Sequence, residues 1–127
     1  MREVIFRGKT ISGKWVYGNY AHIKKDFSTV RKGHYISNSA GSPFAFMVLQ
    51  ETIGQYTGMK DKAGKMIFEG DLLISPTGTI HKVIWLDGAF HLQSKRRNGS
   101  FLYVEIGNGY LGNKEIIGNI HEDENRE

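Results

Sequence analysis

The dipeptide Asp87-Gly88 inside WLDGAF limits what this chain can fold into more than any other feature. Both residues tolerate positive φ, which a two-residue type I′ turn demands, and that turn matches the right-handed twist of two antiparallel strands. Residues 83–86 are therefore expected to fold back on 89–92. Leu86 then faces Ala89, Trp85 faces Phe90, Ile84 faces His91 and Val83 faces Leu92. Successive strand residues point to opposite faces, so Val83, Trp85, Phe90 and Leu92 share the expected core side. Lys82, Ile84, His91 and Gln93 share a wetter one.

Glycine punctuates the rest of the chain in the same manner. There are 16 Gly against 2 Pro, and the runs between them are short and rich in Val, Ile, Phe, Tyr and Trp, which is the pattern of an antiparallel meander. No amphipathic helical stripe and no repeat of fixed period is present. Asp61-Lys62-Ala63-Gly64 suits a three-residue hairpin loop with Gly64 left-handed, and Ser75-Pro76-Thr77-Gly78 repeats the logic, so residues 72–75 and 80–86 should pair. A further turn at Asn98-Gly99 leads to FLYVEI, and the last strand is EIIGNI after GNGYLGN. Five or six short strands in about 65 residues predict a mostly β fold in which residues 56–121 form a small SH3-like barrel or strongly curled sheet. Tyr110 and Leu111 would cover the barrel end. The linker-like SNSAGSP at 37–43 separates possible sub-halves of a single domain spanning 1–127: an N-terminal β segment, 1–50, and the barrel, 51–121.

Composition narrows the setting. A chain of 127 residues that is 39% hydrophobic can fill one modest core. It has no cysteine, so neither a disulfide framework nor a thiolate metal site is available, which fits a reducing cytoplasm. No apolar run has signal-peptide or bilayer length, and a soluble protein with no membrane partner is expected. With 17 Lys and Arg against 13 Asp and Glu the net charge is +4. The acidic tail EDENRE, 122–127, holds four of those acids and one of the bases, leaving the preceding 121 residues at +7. A basic body suits anionic partners and serves solubility equally well.

Chemistry-bearing motifs mostly dissolve into backbone roles. In GQYTGMKDKAGKMIFEGDLL, 54–73, the charges of Lys60, Asp61, Lys62 and Lys65 fall on a hairpin tip, where solvated charges are ordinary. Glu69 and Asp71 flank Gly70 and could form a carboxylate pair, but Asp at such a position more commonly caps its own turn. GNGYLG, 107–112, has G-x-G-x-x-G spacing but precedes a strand pattern rather than the helix a dinucleotide needs. His22, His34, His81, His91 and His121 show no metal-ligand spacing, and the 83–92 register puts His81 and His91 on opposite faces. No nucleophile elbow or phosphate-binding loop is present. The expectation is a non-enzyme with no catalytic residue, no cofactor and no metal.

FRGKTISGKWVYG, then ETIGQYTGMKDKAGKMIFEGDLL, then VIWLDGAF and finally EIIGNIHED resemble, in this order, the landmarks of the YopX family of phage and prophage proteins. The central block of QYTG, KDK with Gly, and IFEGD is the most specific part. The resemblance covers both ends and most of residues 51–121, and matches weakly over 22–48. It implies a small, mostly β protein carried by temperate phages and expressed in the cytoplasm of the bacterial host. It brings no established activity, catalytic residue or cofactor.

SKRRNGS, 94–100, remains. Lys95, Arg96 and Arg97 occupy a hairpin loop in the same half of the chain as Lys60, Lys62 and Lys65, and guanidinium groups suit phosphate oxygens. Two readings stay open. One is a phage-encoded accessory protein that binds nucleic acid non-specifically through these six residues. The other is a homo-oligomer or adaptor that docks on a phage or host protein through a β edge or the aromatic stretch WVYGNY, 15–20.

Overall fold

The computed structural model describes residues 4–38, 45–107 and 111–122. Its elements are almost all strands, and the chain divides into two compact units, Met1–Tyr56 and Thr57–Glu127. The first unit holds β1 (Phe6–Lys9), β2 (Trp15–Ile23), β3 (Gly33–Ser37) and β4 (Ala45–Val48), followed by a 3₁₀ turn, Gln50–Thr52. β5 (Gly54–Lys60) carries the unit boundary. The second unit continues with β6 (Met66–Phe68), β7 (Asp71–Ile74), β8 (Ile80–Leu86), β9 (Ala89–Lys95), β10 (Phe101–Glu105) and β11 (Glu115–Asn119).

In the first unit Val16, Ile36 and Val48 form the buried core, with Phe6, Tyr20, Phe46 and Ile53 packed against it. Period-two alternation explains the choice: Tyr20 pairs with Ile36 and Ile36 with Phe46, so the three point the same way. The opposite face of β2, β3 and β4 carries an open groove of about 640 Å³ whose lining includes Ile23, Val30, Tyr35 and Met47. Thr52, the buried last residue of the 3₁₀ turn, donates its hydroxyl to the Leu49 carbonyl at 2.7 Å and accepts the Lys9 N–H at 2.8 Å.

In the second unit Ile67, Leu73, Val83, Phe90, Leu92 and Leu111 build the core. The β8–β9 register is the one expected from Asp87-Gly88, with Leu86 on Ala89 and Val83 on Leu92; φ is +51° at Asp87 and +82° at Gly88. Trp85 departs from expectation. It lies on the core side but at the turn end of the hairpin, and it stays 52% exposed while its ring meets Phe90 edge-on at 4.8 Å.

The described strands form two sheets of order β4-β3-β2-β1-β5-β6 and β10-β9-β8-β7-β11, with antiparallel pairing from β4 through β5 and from β10 through β11. The expected SH3-like barrel or strongly curled sheet over 56–121 is not formed, because neither sheet closes on itself. Closure would require the terminal strands of one sheet to pair. Instead β11 returns to β7 and leaves β10 as an edge, while β5 and β6 belong to the other sheet. The switch between sheets lies at 68–71. Gly70 takes φ +95° there, Asp71 accepts the Phe68 N–H at 2.7 Å, and the Gly70 N–H already donates to Val83 of β8. Asp71 thus caps its own turn, fully buried. Leu111, expected at a barrel end, lies in the core; Tyr110 is outside the described residues.

Among the described residues one loop form occurs four times. Thr10–Lys14, Asp61–Lys65, Ser75–Thr79 and Arg96–Ser100 are each closed by two backbone bonds, from the first N–H to the fifth carbonyl and from the fourth N–H to the first carbonyl. The fourth residue is glycine at φ between +84° and +93° in every case.

Candidate nucleic-acid interface

The antiparallel order places the candidate cations. Running up β7, down across Asp87-Gly88 from β8 to β9, and out to β10, the loops 75–79 and 96–100 fall at the same end of the five-stranded sheet. β11 begins at that end too, since Glu115 pairs with Ile74. The β5–β6 hairpin tip is tied to this start: the Lys62 N–H donates to the Lys114 carbonyl at 2.9 Å, and Asp61 Oδ2 accepts the Ile116 N–H at 3.1 Å. Lys60, Lys62 and Lys65 therefore lie at the same end as Lys95, Arg96 and Arg97. All six are exposed. The two groups belong to opposite edges, three strand spacings from β9 to β11, or about 15 Å.

Asp61, expected among the solvated charges, is instead 5% exposed. Its Oδ1 accepts the N–H groups of Ala63 and Lys65, both at 2.9 Å, while Oδ2 holds Ile116. Burial pushes its pKa up, but the three backbone donors together with the Lys65 charge outweigh that and hold it below the ordinary aspartate value. Sequence reasoning missed this role, because the partner strand β11 is more than fifty residues away.

Two further basic groups lie at this end. Lys114 is buried, and burial lowers the pKa of its ammonium. His81 opposite Leu73 is lowered as well, first by burial and then by repulsion from Lys114. The near partner of Lys62 is Glu115 at 3.9 Å, between two half-exposed side chains, a pair of little energetic weight.

The loop holding Arg96 and Arg97 differs from its three counterparts in one respect. Thr10, Asp61 and Ser75 each use a side-chain oxygen at the first position to accept the N–H of the fifth residue, at 3.1, 2.9 and 3.2 Å. Arg96 has no acceptor to offer. The Ser100 N–H is taken at 2.9 Å by Asn98 Oδ1 instead.

The remaining candidates separate. The stretch WVYGNY does not form one aromatic patch: Trp15 and Tyr17 share a face with Lys9 and Arg7, where the Arg7 guanidinium lies 4.8 Å from the Trp15 ring centroid. Tyr20 points to the core face and its hydroxyl meets His34 Nδ1 at 2.7 Å. His22 and His34, which spacing alone left apart, are cross-strand partners stacked at 4.1 Å. Among the described residues no three metal-ligating side chains are grouped, and no helix is long and apolar enough to cross a membrane.

Compared with known protein families, residues 5–126 match the model described as YopX protein. The chain belongs to the YopX family. No curated protein matches it. YopX membership spans the described strands of both units, including residues 22–48, where the sequence resemblance was weak. Membership in YopX assigns no activity, so the function of this YopX protein is argued from its basic end.

Proposed function

We propose that this protein is a phage-encoded, non-enzymatic accessory factor of the bacterial cytoplasm that holds nucleic-acid backbones through Lys95, Arg96 and Arg97, assisted by Lys60, Lys62 and Lys65. The observation that carries the reading is the 96–100 loop. It gives the first position, which its three counterparts use for a capping oxygen, to a guanidinium flanked by two more cations. Guanidinium groups pair bidentately with phosphate oxygens, and such contacts hold a backbone without reading its sequence. The lysines at the other edge of the same end extend the basic strip.

Replacing Lys95, Arg96 and Arg97 together by Ala should weaken binding about equally across sequences. The slope of log K against log salt should shrink by roughly two to three units, at about 0.9 per lost phosphate contact on duplex or 0.7 on single strands. An unchanged slope would place the site elsewhere. No retention of the wild type on DNA or RNA at low ionic strength would remove the reading altogether.

A second reading, a homo-oligomeric or adaptor module, draws on the edge position of β10, where three consecutive apolar side chains, Phe101, Leu102 and Tyr103, are 39–49% exposed. An assembly seen by light scattering that persists after nuclease treatment and is lost on changing β10 would favour it.

A further inference from the structure

We propose that the face of the five-stranded sheet turned away from its core is a platform for single-stranded nucleic acid, on which Phe101 and Tyr103 stack against bases while Lys82, Lys95 and Arg96 hold the backbone. This rests on the nucleic-acid binding argued above and names the form that is bound.

Phe101 and Tyr103 are two residues apart on β10, so both rings stand on one face, with centroids 6.4 Å apart. They remain 49% and 45% exposed. Phe101 pairs across strands with Lys95, Tyr103 with Gln93, and Gln93 in turn with Lys82. All five belong to the face opposite Val83, Phe90 and Leu92, which point into the core. Gln93 Nε2 donates to the Tyr103 hydroxyl at 3.1 Å, fixing the phenol and leaving its proton for an incoming acceptor. Arg96 follows directly on Lys95.

The two rings thus stand side by side on β10, with Lys95 next to them on β9 and Lys82 one strand further on β8, while Glu105 bounds the patch beyond Tyr103. Base faces stack on aromatic side chains whatever the base, and the phosphates between them need cations beside the rings. A duplex hides its base faces and could meet only the loops. An apolar protein partner would have to bury Lys82 and Lys95 unpaired next to the rings, at a cost in desolvation. The charge pattern therefore favours an unpaired strand.

The test is fluorescence anisotropy with labelled oligothymidylate and a mixed-sequence duplex of equal length, at matched salt. Wild type should bind the single strand more tightly. Phe101→Ala and Tyr103→Ala should each weaken single-strand binding about tenfold, in line with stacking losses at other such platforms, and leave the duplex unaffected. Lys82→Ala should also act on the single strand alone. Phe101→Leu with Tyr103→Leu keeps the apolar bulk and removes the rings, and should act in the same direction if an alanine variant loses stability. If the ring variants change neither ligand while the Lys95, Arg96 and Arg97 triple variant weakens both, backbone binding stands and the platform is wrong. Equal losses on both ligands would also overturn it. Wild type that binds neither ligand would remove the underlying reading first. A dimer that dissociates when the rings are replaced would assign the face to a second copy of this chain.

Discussion

Asp61 shows how much one side chain can hold when it is charged, buried and surrounded by donors. Its carboxylate closes its own loop and binds β11 through Ile116, so it joins segments distant in sequence. Asp61→Ala should cost about 3 kcal/mol in chemical denaturation, since hydrogen bonds to a charged group are worth more than neutral ones and three N–H groups lose their acceptor. Asp61→Asn should be intermediate, its amide retaining Oδ1 but presenting N–H to N–H at Ile116. The folded pKa is lowered, so the stabilisation is fully present above the unfolded value of about 3.9 and is lost as pH falls through the folded value. The wild type and Asp61→Asn should therefore converge in stability only at strongly acidic pH. His81 has the same sign at a higher window: with its pKa lowered, protonation opposes folding, and stability should begin to fall as pH drops below about 6.5. His81→Gln should flatten that part of the profile; an unchanged profile would mean the imidazole is not the group responsible. None of this was legible at Asp61 itself, where the neighbours Lys60 and Lys62 suggest a solvated tip. Asp71 was legible, because its partner Phe68 lies three residues away.

At the scale of elements, loops and close approaches separate two kinds of glycine. Gly64 and Gly78 have open space where a Cβ would be, so Gly64→Val and Gly78→Val should each cost 1–3 kcal/mol, on the order expected for positive φ alone. Gly18 is different. A Cβ there would lie 1.9 Å from the Ser37 carbonyl oxygen, in the β2–β3 pairing. Gly18→Ala should therefore disrupt that pairing and lower the melting temperature more than either loop variant; a smaller effect would contradict the close approach. The 96–100 loop is capped from its third position instead, where Asn98 Oδ1 accepts the Ser100 N–H. Asn98→Ala should therefore cost about 0.5–1 kcal/mol, the scale of one hydrogen bond, while Arg96→Ser, whose fifth-position N–H already has an acceptor, should leave stability nearly unchanged and weaken nucleic-acid binding. The hairpins joined by Asp87-Gly88, Gly64, Gly78 and Gly99 were readable because turn chemistry is local. The sheet order was not, because β11 returning to β7, and β5 joining β1, are fixed by long-range burial that no short window records. The aromatic face of β10 was within reach: carrying the 83–92 register through a loop of the 75–79 form places Phe101 opposite Lys95.

At the scale of the whole molecule, the strand-rich composition predicts a circular dichroism spectrum dominated by β structure; helix above about a third, the globular average, would contradict it. The two buried clusters each belong to one unit, Val16, Ile36 and Val48 to the first and Leu73, Val83 and Leu92 to the second. Leu73→Ala, at a position with no exposure, should cost about 2–5 kcal/mol. Followed by hydrogen exchange, its loss of protection should concentrate in β7–β11 and spare β2 and β3; uniform loss would mean that the two clusters unfold together. The recurring five-residue loop has a consequence for lineages as well as for folding. Its path is set by two backbone bonds and one glycine, with a capping oxygen at the first or third position, which leaves the second position, held by Ile11, Lys62, Pro76 and Arg97 in turn, open to inherited change, so the charge a loop presents can alter one codon at a time while the strands on either side stay as they were.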